Sequence, residues 1–429
     1  MRPSSRIQAV IEIYEKIDAA KIPMDAVVGD YMRHRRYIGS KDRADIAERT
    51  YNVMRAWGRL NWWLERAGAE ATPRNALIAN TVLAENADEN KIKDFFDGSK
   101  FAPAPLNGEE IALFERFKGK SLDHPDMPEA VRVECPPYYE EALRGYFGAD
   151  FADELKAMQK SATLDMRANV FVAPRDKVKA LLAKDGVETD DTPFSPWGLR
   201  ARDKAYLSKT KAFAKGLVEI QDEGSQMIAH VCGAKRGMQV LDFCAGGGGK
   251  TLALAAAMER KGRIVAMDMD ERRLQKGKER FRKAQVADIV EVRPLSEERH
   301  RKWLRRQKET FDIVLCDVPC TGTGTWRRNP DKRWKLYGPG LEELTKTQGE
   351  ILDKVAGCVK PGGRLVYATC SLLPVENENQ VEEFLKRHPQ FSVSPVDERL
   401  GAPFMRLTPR RHNTDGFFAA VLVKNATQA

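Results

Sequence analysis

Val240-Leu241-Asp242-Phe243-Cys244-Ala245-Gly246-Gly247-Gly248-Gly249-Lys250-Thr251 reads as a buried strand, a tight glycine loop and the start of a helix. Four consecutive glycines permit positive φ and let the backbone come close to a ligand. A loop that opens a helix also turns free N–H groups toward that ligand, which favours negative charge. The stretch is not a phosphate-binding P-loop. That motif needs a glycine six residues before the lysine, and here the position holds Cys244. No dinucleotide-type glycine spacing fits it either.

Outward from this loop, strand and helix patterns alternate. The pattern predicts strands over 238–243, 263–268, 311–317, 363–369 and 417–423. It predicts helices over 250–259, 271–284, 341–358 and 376–388. Repeated strand–loop–helix units predict an α/β fold with a mainly parallel, doubly wound sheet and a Rossmann-like arrangement. In such a sheet ligands bind beyond the C-terminal ends of the strands. Asp268 ends the strand after the glycine loop, where a carboxylate can accept hydrogen bonds from ribose hydroxyls. Asp270, just before Glu271, reads as the N-cap of the next helix. An adenosine-containing cofactor is implied, without a choice between a dinucleotide and S-adenosylmethionine.

Two further strands end at the same edge in cysteines. One runs through Cys316-Asp317 into Val318-Pro319-Cys320-Thr321-Gly322-Thr323-Gly324, and the other through Thr369 into Cys370-Ser371. A lone cysteine at a strand end is usually packing. Two of them beside a cofactor loop favour catalysis. A thiolate next to an adenosine cofactor suits methylation of cytosine C5, a poor nucleophile until a thiolate adds to C6. A carboxylate such as Asp317 can bind the N3/N4 edge of the base, and a second thiol can assist breakdown of the adduct.

Residues 1 to about 95 read as helices, with stripes at Ile7, Val10, Ile11, Ile13 and Tyr14 and at Ile46, Val53, Met54, Trp57, Leu60, Trp63 and Leu64. A basic turn between them holds Arg35, Lys41 and Arg43, with Ser40 as a candidate N-cap. Proline-containing residues 96–136 read as the end of the helical domain plus a linker. A helix over 139–158, a strand over 166–172 and a helix over 175–185 suggest a small α/β module. Three parts follow: an all-α domain plus linker over 1–130, a small α/β module over 131–215, and the doubly wound domain over 216–429.

The chain resembles the RsmB/Sun-type RNA cytosine-5 methyltransferases over its full length. The resemblance rests on Cys244–Lys250, on Asp317–Gly324, and on Thr369-Cys370-Ser371 followed by Pro374, Glu376 and Asn377. Gln221-Asp222-Glu223-Gly224-Ser225-Gln226 and Asp415-Gly416-Phe417-Phe418 add to it. It implies S-adenosylmethionine as cofactor, Cys370 as nucleophile and Cys320 as the product-release thiol. It implies that Cys244, Ala245, Gly246, Gly247, Gly248, Gly249, Lys250, Asp268 and Asp317 line the cofactor site. It further implies a NusB-like RNA-binding helical domain and a ferredoxin- or RRM-like module. By analogy the target is a cytosine of 16S ribosomal RNA. Two departures stand out. The family loop reads Cys-Ala-Ala-Pro-Gly-Gly-Lys, with Gly246-Gly247 here in place of Ala-Pro. The family's adenine-side Asp is missing from Val290–Ser296.

The net charge of +9, from 71 Lys+Arg against 62 Asp+Glu, fits a polyanionic partner. Trp326-Arg327-Arg328-Asn329-Pro330-Asp331-Lys332-Arg333-Trp334 interleaves cations with aromatics, as RNA-contacting loops do. Arg327, Arg328, Lys332 and Arg333 join Arg35, Lys41 and Arg43 as candidate RNA contacts. No run of about 18 apolar residues indicates a membrane span. The seven scattered cysteines form no metal-ligand spacing, so neither structural zinc nor a disulfide framework is expected. A cytoplasmic monomer acting on RNA is the expectation. A tRNA methyltransferase and a non-catalytic RNA-binding assembly factor are the alternatives.

Overall fold

A computed structural model describes residues 1–426. The chain divides into two compact units. The first combines Met1–Ser161 with Trp326–Gly338, and the second holds Ala162–Thr325 and Pro339–Ala429.

The first unit is helical: α1 (Pro3–Ala19), α2 (Met24–His34), α3 (Ser40–Arg55), α4 (Trp57–Ala67), α5 (Pro73–Leu83), α6 (Glu89–Phe95), α7 (Gly108–Phe117), α8 (Glu129–Arg132), α9 (Pro137–Phe147) and α10 (Phe151–Ala157). Both predicted stripes face its core, where Ile7, Val10, Tyr14, Ile46, Leu60 and Leu64 are buried. Residues 96–136, expected to end the helical domain and add a linker, contain α7 and α8, and Phe114 and Phe117 are part of that same core. Asn107 and Glu110 form a capping box at the start of α7. Ser40 does not cap α3. It is the first helical residue, after Gly39, and no side chain caps that end.

The second unit carries two sheets. Strands β1 (Asp165–Ala168), β2 (Thr189–Asp191), β3 (Gly198–Ala201) and β4 (Val218–Ile220) form an antiparallel sheet in the order β2-β3-β1-β4. Helices α11 (Arg175–Lys184) and α12 (Lys211–Ala214) accompany it. The strand expected over 166–172 ends at Ala168, because Val172 and Ala173 donate back to the Asn169 carbonyl in a turn.

The larger sheet follows α13 (Glu223–Val231). Its parallel part is β5 (Gln239–Asp242), β6 (Arg263–Asp268), β7 (Val290–Pro294), β8 (Phe311–Asp317) and β9 (Val359–Thr369). The helices are α14 (Gly249–Ala257), α15 (Glu271–Lys283), α16 (Glu298–Arg305), α17 (Leu341–Ala356), α18 (Glu378–Arg387) and α19 (Pro409–His412). Strands β10 (Phe391–Val393), β11 (Met405–Leu407) and β12 (Phe417–Lys424) pair antiparallel at one edge. The order is β10-β12-β9-β8-β5-β6-β7, with β11 also on β12. The chain runs outward through β5, β6 and β7, then returns to β8 on the other side of β5. That reversal makes the switch point of a doubly wound sheet, and its crevice lies beyond the ends of β5 and β8. Residues on the two sheet faces, Leu241 and Val314 on one and Val240 and Ile313 on the other, are buried against separate apolar layers. A two-sided core of this kind is what near-continuous apolar strands require.

The Gln221–Gln226 stretch joins the two sheets. The Arg167 guanidinium is buried and donates to the Gln221 side chain at 2.8 Å. Glu223 accepts the Phe194 and Ser195 N–H groups at 2.6 and 2.8 Å, and the Gln226 amide donates to the Met166 carbonyl at 3.1 Å.

Candidate functional site

Four side chains end at the switch-point edge because of strand register. Asp242 is level with Ala266 of β6 and Leu315 of β8, and Asp268 is level with Pro294. Asp317 is level with Ala368, so Thr369-Cys370 leaves β9 one residue further on.

The glycine loop uses the freedom its composition provides. Gly246 and Gly248 have φ of +54° and +79°, where any other residue would be strained. The Ala245 N–H donates to the Met267 carbonyl at 2.9 Å, and the Gly246 N–H to the Asp268 carboxylate at 2.7 Å. Helix α15 lies along the loop. Phe281 fills the space under Gly248, Gly277 sits against the Gly247 carbonyl, and Arg280 donates to that carbonyl at 2.5 Å. Asp270 caps α15, accepting the Arg273 N–H at 3.1 Å, as its sequence position predicts.

Lys250, in the first turn of α14, donates to Asp317 at 2.6 Å. Burial pulls the Lys250 pKa down, but the Asp317 carboxylate and the negative field of Cys370 and Asp242 outweigh it, so the ammonium stays charged. Asp242 accepts the Thr251 hydroxyl at 2.7 Å. Burial, with Asp317 nearby, pushes its carboxyl up to about 7 despite that bond and Lys250. Cys244 lies in the same loop, and burial holds its thiol well above the ordinary range.

Cys320 and Cys370 meet at an Sγ–Sγ distance of 3.4 Å, and neither is part of a disulfide. The hydrogen bond to Cys370 and burial hold the Cys320 pKa well up, so Cys320 keeps its proton. The two loops are fastened to each other. Glu376, 0% exposed, accepts the Thr321 N–H at 2.9 Å and the Thr321 hydroxyl at 2.5 Å. The Gln348 amide reaches both Glu376 and the Pro319 carbonyl at 3.0 Å. Asn377 accepts the Thr369 hydroxyl at 2.6 Å and donates to the Ser371 carbonyl at 2.9 Å. The Gly324 N–H donates to the Cys370 carbonyl at 2.9 Å, while the Gly416 N–H donates to the Gly324 carbonyl at 2.7 Å. Neither glycine has room for a Cβ: one on Gly324 would lie 2.2 Å from the Gly416 carbonyl oxygen. Glu376 and Asn377 appeared in the sequence only as part of a motif. Nothing in the sequence marked Gln348.

The donor set fits a nucleoside cofactor bearing a charged tail. Asp268 offers a carboxylate at the position for ribose hydroxyls, and Lys250 offers a cation. The loop backbone is bare at Gly247 and Gly249, where an added Cβ would meet nothing nearer than 3.4 and 3.7 Å. After β7 the chain supplies no carboxylate to that edge before Glu297, which pairs with Arg299 at 2.5 Å.

The candidate RNA contacts are placed unevenly. Arg327 and Arg333 are 3% and 1% exposed, so these two side chains of the segment read as RNA-contacting are packed into the helical unit. Arg333 donates to the Glu134 carbonyl at 3.2 Å and lies over the Trp326 ring. The Asp331 carboxylate accepts the Met24 N–H at 2.9 Å. Arg328 and Lys332 are half-buried. Arg35 pairs with Glu12 at 3.1 Å, Arg43 ties the basic turn by donating to the Ile38 and Arg35 carbonyls, and Lys41 is exposed. Among the described residues no group of three or more His, Cys, Asp and Glu side chains could hold a metal ion. No helix among them is long and apolar enough to cross a membrane.

Residues 230–423 match the family described as 16S rRNA methyltransferase RsmB/F. Ribosomal RNA small subunit methyltransferase B of Photorhabdus laumondii is 33% identical over 414 residues, covering 90% of this chain and 92% of that protein. The crystal structure of PH0851 superposes with a TM-score of 0.80 at 27% identity, covering 99% of each chain. NSun6 from Pyrococcus horikoshii, solved with SFG, shares the fold at a TM-score of 0.61 and 22% identity, over 68% of this chain and 99% of that one. By these likenesses the chain belongs to the RsmB/F family of S-adenosylmethionine-dependent ribosomal RNA methyltransferases.

Proposed function

We propose that the chain makes 5-methylcytosine in small-subunit ribosomal RNA through a covalent adduct on Cys370. The observation that carries this reading is the pair of thiols at 3.4 Å on two fastened loops beside the glycine loop. A simple methyl transfer to oxygen or nitrogen needs neither thiol.

Bound S-adenosylmethionine supplies an electrophilic methyl group on a sulfonium. The thiolate of Cys370 adds to C6 of the cytosine, and the C5–C6 π pair moves to C5, which takes the methyl. Asp317 and Lys250 lie at the same edge. Asp317 hydrogen-bonds the N3/N4 edge of the base and so favours the electron-rich adduct, while Lys250 fixes the Asp317 carboxylate. The C5 proton then leaves to a base. As the C5–C6 double bond re-forms, the Cys370–C6 bond breaks and the thiolate is expelled. Cys320, within touching distance of Cys370, serves this release step. The target cytosine has to leave its stack to reach the crevice. Lys41, Arg35 and Arg43 of the basic turn, with Arg328 and Lys332, are proposed to contact RNA phosphates. Arg327 and Arg333 have a packing role instead.

Substituting each thiol tests the assignment. Cys370→Ala should abolish both methylation and adduct. Cys320→Ala should accumulate a protein–RNA adduct that survives a denaturing gel. Activity retained in Cys370→Ala and lost in Cys320→Ala would reverse the roles. Bisulfite sequencing of ribosomal and transfer RNA from a strain lacking the gene identifies the target, and loss of a tRNA position alone would overturn the ribosomal assignment.

A further inference from the structure

Helix α15 packs against the glycine loop through one edge: Gly277, Arg280 and Phe281 meet Gly247 and Gly248, and Arg273 meets Gly246. The Arg273 guanidinium lies where a Gly246 side chain would be, 2.6 Å from the position of a Cβ. The glycine at 246 thus leaves space at the lip of the cofactor loop, and a cation from α15 fills it. Beyond that edge the helix periodicity places Arg272 and Lys276 beside Arg273 on one stripe, with Lys283 about two turns beyond Lys276. Arg272, Arg273 and Lys276 are exposed. Arg280 pairs with Glu219 at 2.9 Å and Lys283 lies 3.9 Å above the Phe213 ring. Among the described residues no ion pair engages the side chains of Arg272, Arg273 or Lys276. Elsewhere exposed arginines such as Arg66, Arg202, Arg260 and Arg399 each hold a carboxylate. Glu271 and Glu279 on the same helix leave the stripe strongly positive in balance.

We infer that this stripe is a docking track for the RNA phosphate backbone, led by Arg273 at the lip of the cofactor loop. The inference rests on the reading that RNA is the substrate. Three unpaired cations in a row are costly to hold together without an anion. A polyanion that lies along them releases its own condensed counterions. Anchoring Arg273 against Gly246 sets the track next to the place where the base must meet the methyl group. The phosphates would therefore set the register in which a nucleotide is presented, while carrying no sequence information themselves.

The test uses the full chain carrying Arg272→Gln, Arg273→Gln and Lys276→Gln together. The probe is a fluorescein-labelled small-subunit ribosomal RNA transcript, titrated between 50 and 300 mM salt. Removing three phosphate contacts should lower the slope of log affinity against log salt by about 2–3. Affinity near 0.1 M salt should fall at least about tenfold, since each lost contact weakens binding. S-adenosylmethionine affinity by calorimetry should stay within about twofold, and the melting temperature should be unchanged. A control, Lys278→Gln with Arg282→Gln on the other face of the helix, should leave the slope as it was. A triple variant with an unchanged slope overturns the track. So does an unchanged slope with lost cofactor affinity, which would assign Arg273 to the cofactor. If the wild type forms no 5-methylcytosine yet the triple variant loses the slope, the chemical reading fails and the track stands.

Discussion

A carboxylate stripped of water favours its acid form, and Asp242 is in that position at the end of β5. The Thr251 hydroxyl and the Lys250 charge compensate in part, and the Asp242 carboxyl is still pushed up to about 7. The folded chain therefore binds this proton more tightly than an unfolded chain, whose aspartate titrates near 4. Stability from Asp242 is fully present below that unfolded value and is lost as pH rises through about 7. Asp242→Asn keeps a hydrogen-bonding side chain without the titration. Its melting temperature relative to wild type should rise between pH 5 and pH 8, by a free energy on the order of 1–4 kcal/mol. Differential scanning calorimetry across that range reads it. A constant difference would show that Asp242 is charged in the folded protein throughout.

At the scale of elements, the two cysteine loops are held by groups that belong to neither thiol. Glu376 follows β9 and satisfies the Thr321 N–H, the Thr321 hydroxyl and the Gln348 amide at once. Glu376→Ala leaves those donors without their acceptor inside the protein, at about 1–3 kcal/mol for an unsatisfied group. The melting temperature should fall by roughly 5–10 °C, and methyl transfer should fall more than cofactor binding, because the loop next to Cys320 is released while the glycine loop is untouched. Gly324→Ala should act on the same joint by overpacking, at about 1–3 kcal/mol, since its Cβ would collide with the Gly416 carbonyl. The contrast between Cys320 and Gln348 marks what a sequence discloses. Strand periodicity and the placement of Asp317, Cys320 and Cys370 at strand ends were legible, because a parallel sheet brings all such ends to one edge. The glycine loop and the Asp270 cap were legible for local reasons of the same sort. Gln348 sits mid-helix in α17, a position that in the sequence carries only helical pattern. Its role arises from a contact across 28 residues to Glu376. The short strands β10 and β11 were missed because edge pairing with β12 gives three-residue elements no period to read.

For the whole molecule, the segment Trp326–Gly338 shows why a loop's position in sequence misleads. It follows directly after the Cys320 loop, and its cations and tryptophans read as an RNA-contacting surface. In the structure it completes the helical unit. The first turn of α4 has no capping side chain of its own, so Glu134 reaches in to accept the Gly58 and Arg59 N–H groups at 2.8 and 3.2 Å. Arg333 holds the Glu134 carbonyl, and Trp334 packs so close to Gly58 that a Cβ there would lie 2.8 Å from the indole. Lys335 donates to the Ile17 and Asp18 carbonyls at 2.6 and 3.1 Å, at the end of α1. A fragment ending at Ser161 therefore lacks part of its own core and of its polar satisfaction. Residues 1–161 expressed alone should melt at a lower temperature than the helical unit in the full chain. Adding a synthetic peptide of residues 326–338 in excess should raise that melting temperature with peptide concentration, as any ligand of the folded state does. A peptide with Arg333→Ala and Trp334→Ala should raise it far less. Circular dichroism melts of the fragment with each peptide decide the matter: equal effects from both would place the stabilisation outside Arg333 and Trp334, and none from either would mean that the segment rests on the helical unit without stabilising it.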